Sequence, residues 1–290
     1  MNTHTIRPYV YYDERYPSHW IKPDVARHIA KTLENMGFKV VNADEVKKLM
    51  ERAIATAQIS EEIVIVFSQD VVPEILVDNP SSPTANSLIR RFLNNGHSIV
   101  WIGDIPLLHI GFSNGEKRTL TNAVTQQVLG LNPDVPHVSV PVRHTHLGHM
   151  FQLPIWIGTR PHKGRAPNVT GVSFIPLSLS RQGAHAFIAT YYRGPVGNAF
   201  SGFIRLYDTV LDKPEKLSED MIRGIVNVVF RNPVLHVWTA IQELQKRVQS
   251  MEEDLRTSFN TLKSELDNLS KILEKILKLI EKEKEAKSNS

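Results

Sequence analysis

Three histidines in the segment HTHLGH lie close enough in the sequence to hold a metal ion. His144, His146 and His149 follow an H-x-H-x-x-H spacing, and neutral imidazoles bind zinc, nickel or copper. Metal sites with this spacing usually also recruit a carboxylate, and none lies nearby in the sequence. We therefore interpret the three as surface histidines, and we expect neither a bound metal nor another cofactor.

The same histidines belong to a longer region without negative charge. No aspartate or glutamate occurs in the 73 residues between Asp134 and Asp208, although the chain has 30 acidic residues in 290. Contacts to phosphate need cations and hydrogen-bond donors without nearby carboxylates. We expect the region to bind an RNA or DNA backbone without reading its sequence, through Arg143, His144, His146, His149, Arg160, His162, Lys163, Arg165, Arg181 and Arg193. The alternative is that its arginines pair with acids elsewhere in the fold.

Acidic residues that follow apolar runs form a second candidate site. Asp13, Asp70 and Asp104 each come directly after a run that predicts a strand. Ligands of parallel sheets bind beyond the carboxyl ends of the strands. Asp104 could serve as a nucleophile or general base if it is buried beside a partner such as His109 or Asp70. More often, an aspartate in this position caps a turn.

Composition limits the possible functions. The chain has no cysteine, which excludes disulfides, thiolate nucleophiles and sulfur-bound metals. Its net charge of +4 and pI of about 9.2 give a mild preference for anionic partners. Neither a signal peptide nor an apolar run long enough to span a membrane is present. We expect a soluble, cytoplasmic protein.

The first hundred residues alternate between strand and helix patterns, which predicts a parallel sheet with helices on both faces. Predicted strands cover 7–14, 38–43, 62–70 and 97–104, and predicted helices cover 23–37, 44–57 and 82–96. Residues 133–208 instead predict antiparallel strands inserted before the sheet resumes. A last helix is expected over 218–232, capped by Ser218.

The C-terminal segment carries an apolar residue every three or four positions, which is the heptad pattern of a coiled coil. One stutter interrupts the pattern. The expected seam, for self-association or a protein partner, consists of Ile241, Leu244, Val248, Met251, Leu255, Phe259, Leu262, Leu266, Leu269, Leu273, Ile276 and Ile280. We therefore divide the chain into an α/β domain over 1–232, with the basic insertion at 133–208, and a long helix over 233–290.

Four stretches, in this order, resemble the class I glutamine-amidotransferase-like superfamily, which includes ThuA-like domains: EIVIVFSQDVVPEIL, SLIRRFLNNGHSIVWIGDIP, WIGTRP and SGFIRLYD. The resemblance implies a flavodoxin-like sheet with an extra antiparallel β-layer. Amidotransferases of this family place a cysteine on a turn after a central strand. The matching turn WIGDIP presents Asp104 there, so amidotransferase activity is excluded.

The combination of this domain with a basic, cysteine-free composition and a coiled coil also resembles the accessory proteins encoded beside short Argonautes in archaeal antiviral defence operons. That resemblance implies a complex with the Argonaute that helps to bind nucleic acid. The sequence thus predicts a non-catalytic, nucleic-acid-associated adaptor, a pseudoenzyme with an amidotransferase-like fold. One alternative is a ThuA-like enzyme or sugar-binding protein that uses Asp13, Asp70 and Asp104, and another is a purely structural oligomer built by the coiled coil.

Overall fold

The structure is a computed structural model that describes residues 5–56, 61–133, 136–167, 169–191, 200–231 and 234–288, with side chains of the last helix described over 248–275. The chain forms two compact units, Met1–Pro233 and Val234–Ser290. The helices are α1 (Pro23–Asn35), α2 (Ala43–Ala55), α3 (Leu88–Asn94), α4 (Ala123–Leu129), α5 (His146–Met150), α6 (Glu219–Val229) and α7 (Val234–Ser288).

The strands all lie in the first unit. They are β1 (Thr5–Tyr11), β2 (Lys39–Val41), β3 (Glu61–Phe67), β4 (Val72–Pro73), β5 (Ser98–Ile102), β6 (His109–Gly111), β7 (Lys117–Thr119), β8 (Leu131–Asn132), β9 (Val140–Pro141), β10 (Arg143–His144), β11 (Ile157–Gly158), β12 (Gly164–Arg165), β13 (Ser173–Leu179), β14 (Ala184–Thr190) and β15 (Phe203–Leu206).

Eight of these strands form the central sheet, in the order β10-β13-β14-β15-β5-β3-β1-β2. The five strands from β15 to β2 are parallel to one another. Numbered along the chain, these five have the order 2-1-3-4-5 of a flavodoxin-like sheet. Strands β14, β13 and β10 add antiparallel pairs at the β15 edge of the same sheet. The structure confirms the predicted α/β class, with a mainly parallel sheet and extra antiparallel strands.

Both faces of the sheet are covered, which explains why β3 is apolar from Ile63 to Phe67. Ile63, Ile65 and Phe67 enter the core beneath α2, α3 and α4, whereas Val64 and Val66 enter the core beneath α1 and α6. Successive side chains of a strand point to opposite faces, so a strand with two covered faces needs an unbroken apolar run.

Helix α3 starts later than the sequence pattern predicts. The helix expected over 82–96 begins at Leu88, because Asp78 organises the preceding residues as a loop. The Asp78 carboxylate accepts hydrogen bonds from the backbone N–H and hydroxyl of Thr84 and from the Ser87 hydroxyl. Partial burial alone would raise the pKa of Asp78, but these bonds lower it to about 2. By contrast, Ser218 caps α6 as predicted.

A buried ion pair ties the end of the α/β domain to the amino-terminal edge of its sheet. Arg231 Nη2 lies 2.6 Å from Glu62 Oε1 in β3 and donates a 2.9 Å hydrogen bond to Ser98 Oγ in β5. The Glu62 side chain is fully buried and that of Arg231 is 7% exposed. Residue 231 is thereby held against the two central strands.

We expect Arg231→Met to lower the free energy of unfolding by about 3–5 kcal/mol, because it removes one partner of a buried ion pair. Urea denaturation measures the effect. Arg223→Met is the matched control, since Arg223 makes an exposed ion pair with Asp220, and it should leave stability nearly unchanged. Equal effects of the two substitutions would contradict a structural role for the buried pair.

Helix α7 forms the second unit. Eight residues of the predicted seam lie in its described part, and every one of them is more than half exposed within this single chain: Val248, Met251, Leu255, Phe259, Leu262, Leu266, Leu269 and Leu273. The predicted seam residues Ile241, Leu244, Ile276 and Ile280 lie outside the described side chains. No helix in the described part of the chain is long and apolar enough to cross a membrane.

Candidate functional site

Four aspartates follow the carboxyl ends of parallel strands: Asp13 after β1, Asp70 after β3, Asp104 after β5 and Asp208 after β15. All four are buried. Asp13 has a local structural role, since its carboxylate accepts hydrogen bonds from the Arg15 side chain and from the first amide of α2. Burial opposes ionisation of Asp13, but these bonds lower its pKa. The remaining three aspartates organise the candidate site.

Asp70 shapes the loop that covers the end of β5. Its carboxylate accepts hydrogen bonds of 2.8 Å from the amides of His19 and Trp20, and a longer one of 3.3 Å from the amide of Asp104. Burial raises its pKa, although the three amides oppose that shift. Gly103 permits this close approach, since a Cβ there would lie 2.8 Å from the Asp70 side chain and its φ is +94°.

Asp104 is the centre of a group of polar side chains that we call the Asp104 cluster, comprising Asp104, His19, His109 and Arg160. The Asp104 Oδ2 atom lies 3.4 Å from His109 Nε2 and 3.6 Å from His19 Nε2, and Oδ1 lies 3.9 Å from Arg160 Nη1. Burial would raise the pKa of Asp104, but the His109 bond, the Ile105 amide and the nearby guanidinium groups lower it. Asp104 is thus a buried carboxylate that stays ionised, beside the two partners that the sequence suggested, His109 and Asp70.

The two imidazoles of the cluster are oriented through their other ring nitrogens. His109 Nδ1 lies 3.0 Å from Thr119 Oγ1, and His19 Nδ1 lies 2.9 Å from Lys117 Nζ. Burial, His109 and the Lys117 ammonium together lower the pKa of His19 to about 4. His19 is therefore neutral at pH 7, with one third of its side chain exposed. A neutral imidazole beside an ionised carboxylate can bind a metal ion.

Asp208 forms a second polar network directly beside the Asp104 cluster. Its carboxylate accepts hydrogen bonds from four donors, the side chains of Trp156 and His185 and the amides of Thr159 and Arg160. The fully buried Arg205 lies 3.8 Å from Asp208 Oδ2. This network fixes the segment that carries Arg160. The Arg160 guanidinium lies over the Trp20 ring, 5.0 Å from the ring centroid.

The structure corrects one residue of the predicted nucleic-acid surface, His162. His162 is fully buried, with its Nδ1 3.1 Å from Arg205 Nη1, so it cannot reach a phosphate group. Burial and the Arg205 charge hold the pKa of His162 well below its usual value. Arg160 is oriented toward Asp104 and Trp20. For Arg160, the alternative expectation, an arginine of the acid-free region that pairs with an acid elsewhere in the fold, describes the structure.

Four other predicted cations are exposed near one end of the sheet, and we call them the basic edge: Arg143, Lys163, Arg165 and Arg181. Arg143 pairs with Leu179 at the end of β13, and Arg181 lies in the turn that follows. His162 bridges to Ala184 at the start of β14, which brings Lys163 to the same turn, with Arg165 in β12 just beyond. Among the described residues, none of the four makes an ion pair. Arg193 lies outside the described residues.

The histidines of the H-x-H-x-x-H segment are separate from the Asp104 cluster. His146 and His149 are exposed on α5, and His144 is half-buried with Nδ1 2.8 Å from Ser178 Oγ. Within the described ranges, the one group of three or more histidine or acidic side chains close enough to share a metal is His19, Asp104 and His109. Sequence reasoning missed His19 and Lys117, since no spacing pattern connects them with Asp104.

The fold and the site define the first unit as a flavodoxin-like α/β domain with a buried ionised aspartate at the carboxyl edge of its sheet. The chain belongs to the MJECL34 family, whose model matches residues 7–232. It is 42% identical over 255 residues to a Methanocaldococcus jannaschii protein named Uncharacterized protein MJECL34, and the match covers 87% of this chain and 83% of that protein. No solved structure matches the chain.

Proposed function

We propose that the protein is a non-catalytic, nucleic-acid-associated adaptor that assembles through α7. The observation that carries this proposal is the exposed seam of that helix. Within one chain, eight large apolar side chains at heptad spacing face water between Val248 and Leu273. Burial of one such side chain contributes about 1.5–3 kcal/mol, so a second helix on this stripe would be strongly stabilising.

The occupant of the seam is a second copy of the chain or a protein partner. The resemblance to short-Argonaute accessory proteins makes a short Argonaute in an antiviral defence complex our proposed partner. Sedimentation equilibrium of the full-length protein, with co-purification from its host, tests assembly. We expect a mass that is a multiple of 32.9 kDa or a complex with a partner. A monomer with no co-purifying protein would contradict the proposal.

The basic edge supports the nucleic-acid part of the proposal. Its four cations are exposed, lie around the β13–β14 turn and occur in a region without acidic residues. Such a surface can contact phosphates without competing carboxylates, and it offers no recognisable element that reads bases. The predicted ligand is therefore the RNA or DNA backbone, bound without sequence preference.

We expect the triple substitution Lys163→Glu, Arg165→Glu and Arg181→Glu to weaken oligonucleotide binding about equally for unrelated sequences. For every phosphate that the variant no longer neutralises, the slope of log affinity against log salt should flatten by about 0.7 to 0.9. A gel-shift salt series measures this slope. Because the three side chains are exposed and make no ion pair among the described residues, the melting temperature should change little.

The matched control is the triple substitution Lys31→Glu, Lys39→Glu and Lys48→Glu. These lysines are also exposed but belong to α1, β2 and α2, outside the acid-free region. The net charge changes by the same amount in both variants. If both weaken binding equally, the effect comes from overall charge and a localised basic edge is wrong.

A second candidate function is a ThuA-like enzyme or a sugar-binding protein. It is favoured by the burial of ionised Asp104 beside two imidazoles and Arg160 at the ligand-binding edge of a flavodoxin-like sheet. Asp13 does not take part, because its carboxylate is used by Arg15 and α2. A sugar that raises the melting temperature of the native protein, and no longer does so in Asp104→Asn, would support this candidate.

A further inference from the structure

We propose that His19, Asp104 and His109 form a binding site for one divalent transition-metal ion, with zinc as the best match. This inference goes beyond the adaptor function and does not depend on it. It assigns a ligand class to the buried cluster at the end of β5.

The spacings from Asp104 to each of the two histidines match a tetrahedral site. Zinc bonds to histidine nitrogen and carboxylate oxygen are about 2.0–2.1 Å long, which places neighbouring ligand atoms about 3.4 Å apart. Asp104 Oδ2 lies 3.4 Å from His109 Nε2 and 3.6 Å from His19 Nε2, and the three ligand atoms all lie within 4.8 Å of one another. Three protein ligands leave a fourth position open, as in catalytic zinc sites.

Each ligand is held in place by the fold. Asp104 is fixed by its own turn, with the Ile105 amide 2.7 Å from Oδ1. His109 lies on the β6–β7 hairpin opposite Thr119, which contacts its second ring nitrogen. The backbone of His19 is bound to the Asp70 carboxylate. Such contacts around metal ligands fix ring orientation and contribute to affinity.

The ligand types select the metal. Two imidazoles and one carboxylate suit zinc, cobalt or nickel, whereas calcium and magnesium prefer sites made of oxygen ligands. Arg160 and Lys117 place positive charge beside the group, so an anion such as hydroxide, phosphate or a carboxylate would balance the charge at the open position. The chain thus offers both a metal site and cations for an anionic ligand on it.

Lys117 competes with the metal. Its ammonium group can only donate, so His19 Nδ1 must accept and the hydrogen of the neutral ring must lie on Nε2. Metal binding at Nε2 requires this hydrogen to move to Nδ1, and the exposed Lys117 side chain must turn away. We therefore expect Lys117→Met to tighten metal binding several-fold, a result that a purely structural histidine cluster would not give.

The test uses full-length protein freed of metal with a chelator and then titrated with Co²⁺, followed by absorbance, and with Zn²⁺, followed by calorimetry. We expect one ion per chain and the visible bands of tetrahedral cobalt. His19→Gln and His109→Gln should each weaken binding by at least the about 10–100-fold that loss of a group contacting a metal ligand costs. The partly exposed His19 provides a variant that folds even if the buried His109 cannot be replaced, and a melting curve checks both.

The control is His146→Gln with His149→Gln, which removes two exposed histidines of α5 and should leave binding unchanged. Absence of cobalt bands and of zinc heat in the native protein would overturn the proposal. So would binding that survives both His19→Gln and His109→Gln, or binding that disappears in the α5 control.

Discussion

Asp208→Ala is expected to lower the free energy of unfolding by about 3–5 kcal/mol. The substitution removes a fully buried carboxylate that accepts four hydrogen bonds, and each unsatisfied buried donor costs about 1–3 kcal/mol. The donors are Trp156 Nε1, Thr159 N, Arg160 N and His185 Nδ1. The substitution Asp208→Ala also leaves the buried guanidinium of Arg205 without its nearest carboxylate.

Urea denaturation of the native protein and the variant measures this change in stability. Asp212→Ala is the control, because Asp212 is close in sequence but makes a surface ion pair with Lys216, and we expect stability to be nearly unchanged. If Asp208→Ala is as stable as the Asp212→Ala control, the Asp208 network contributes nothing to the free energy of unfolding. In that case Arg160 and His185 must find other partners.

The second large effect is expected in α7. Leu262→Asp together with Leu269→Asp should strongly weaken association through the seam, because each buried carboxylate without a partner costs several kcal/mol. Every 1.4 kcal/mol raises a dissociation constant tenfold, so two substitutions should raise it by about 100-fold or more. Sedimentation equilibrium and pull-down of the proposed partner measure the weakened association.

The control for α7 is Ser264→Asp together with Asn268→Asp. These residues lie between the seam positions Leu262, Leu266 and Leu269 in sequence and on the opposite side of the helix at 100° per residue. Both variants add two negative charges. An unchanged mass in the leucine variant would contradict the coiled coil, and equal dissociation in the control would assign the effect to charge alone.

The parallel part of the fold was predictable because its signals are local. The unbroken apolar run at 63–67 is typical of a strand with two covered faces, and Ser218 marks the start of α6 through a cap within one turn. The predicted start of the helix over 82–96 was wrong because it depends on a contact that is not local to the helical pattern. Its first residues are held by Asp78, a contact that no helical periodicity reveals.

The candidate site was only half predictable. The positions of Asp70 and Asp104 were predictable because parallel strands end at one edge of the sheet. His109 was close enough to Asp104 in sequence to be named as its partner. His19 comes to Asp104 from 85 residues away through a loop fixed by Asp70. In the same way, the burial of His162 depends on Arg205, 43 residues further on, so composition alone assigned it to the surface.

The position of β15 has a consequence for the order of folding during synthesis. Gly202, just before β15, bonds to Ser98 at the start of β5 across 104 residues. Strands β1, β2, β3 and β5 can pair as soon as the first third of the chain has left the ribosome. Strand β5 then remains an open edge until the whole basic insertion has been made, and such unpaired edges favour aggregation. Closing a loop of this length is slow, so we expect the docking of β15 onto β5 to limit the folding rate of the domain.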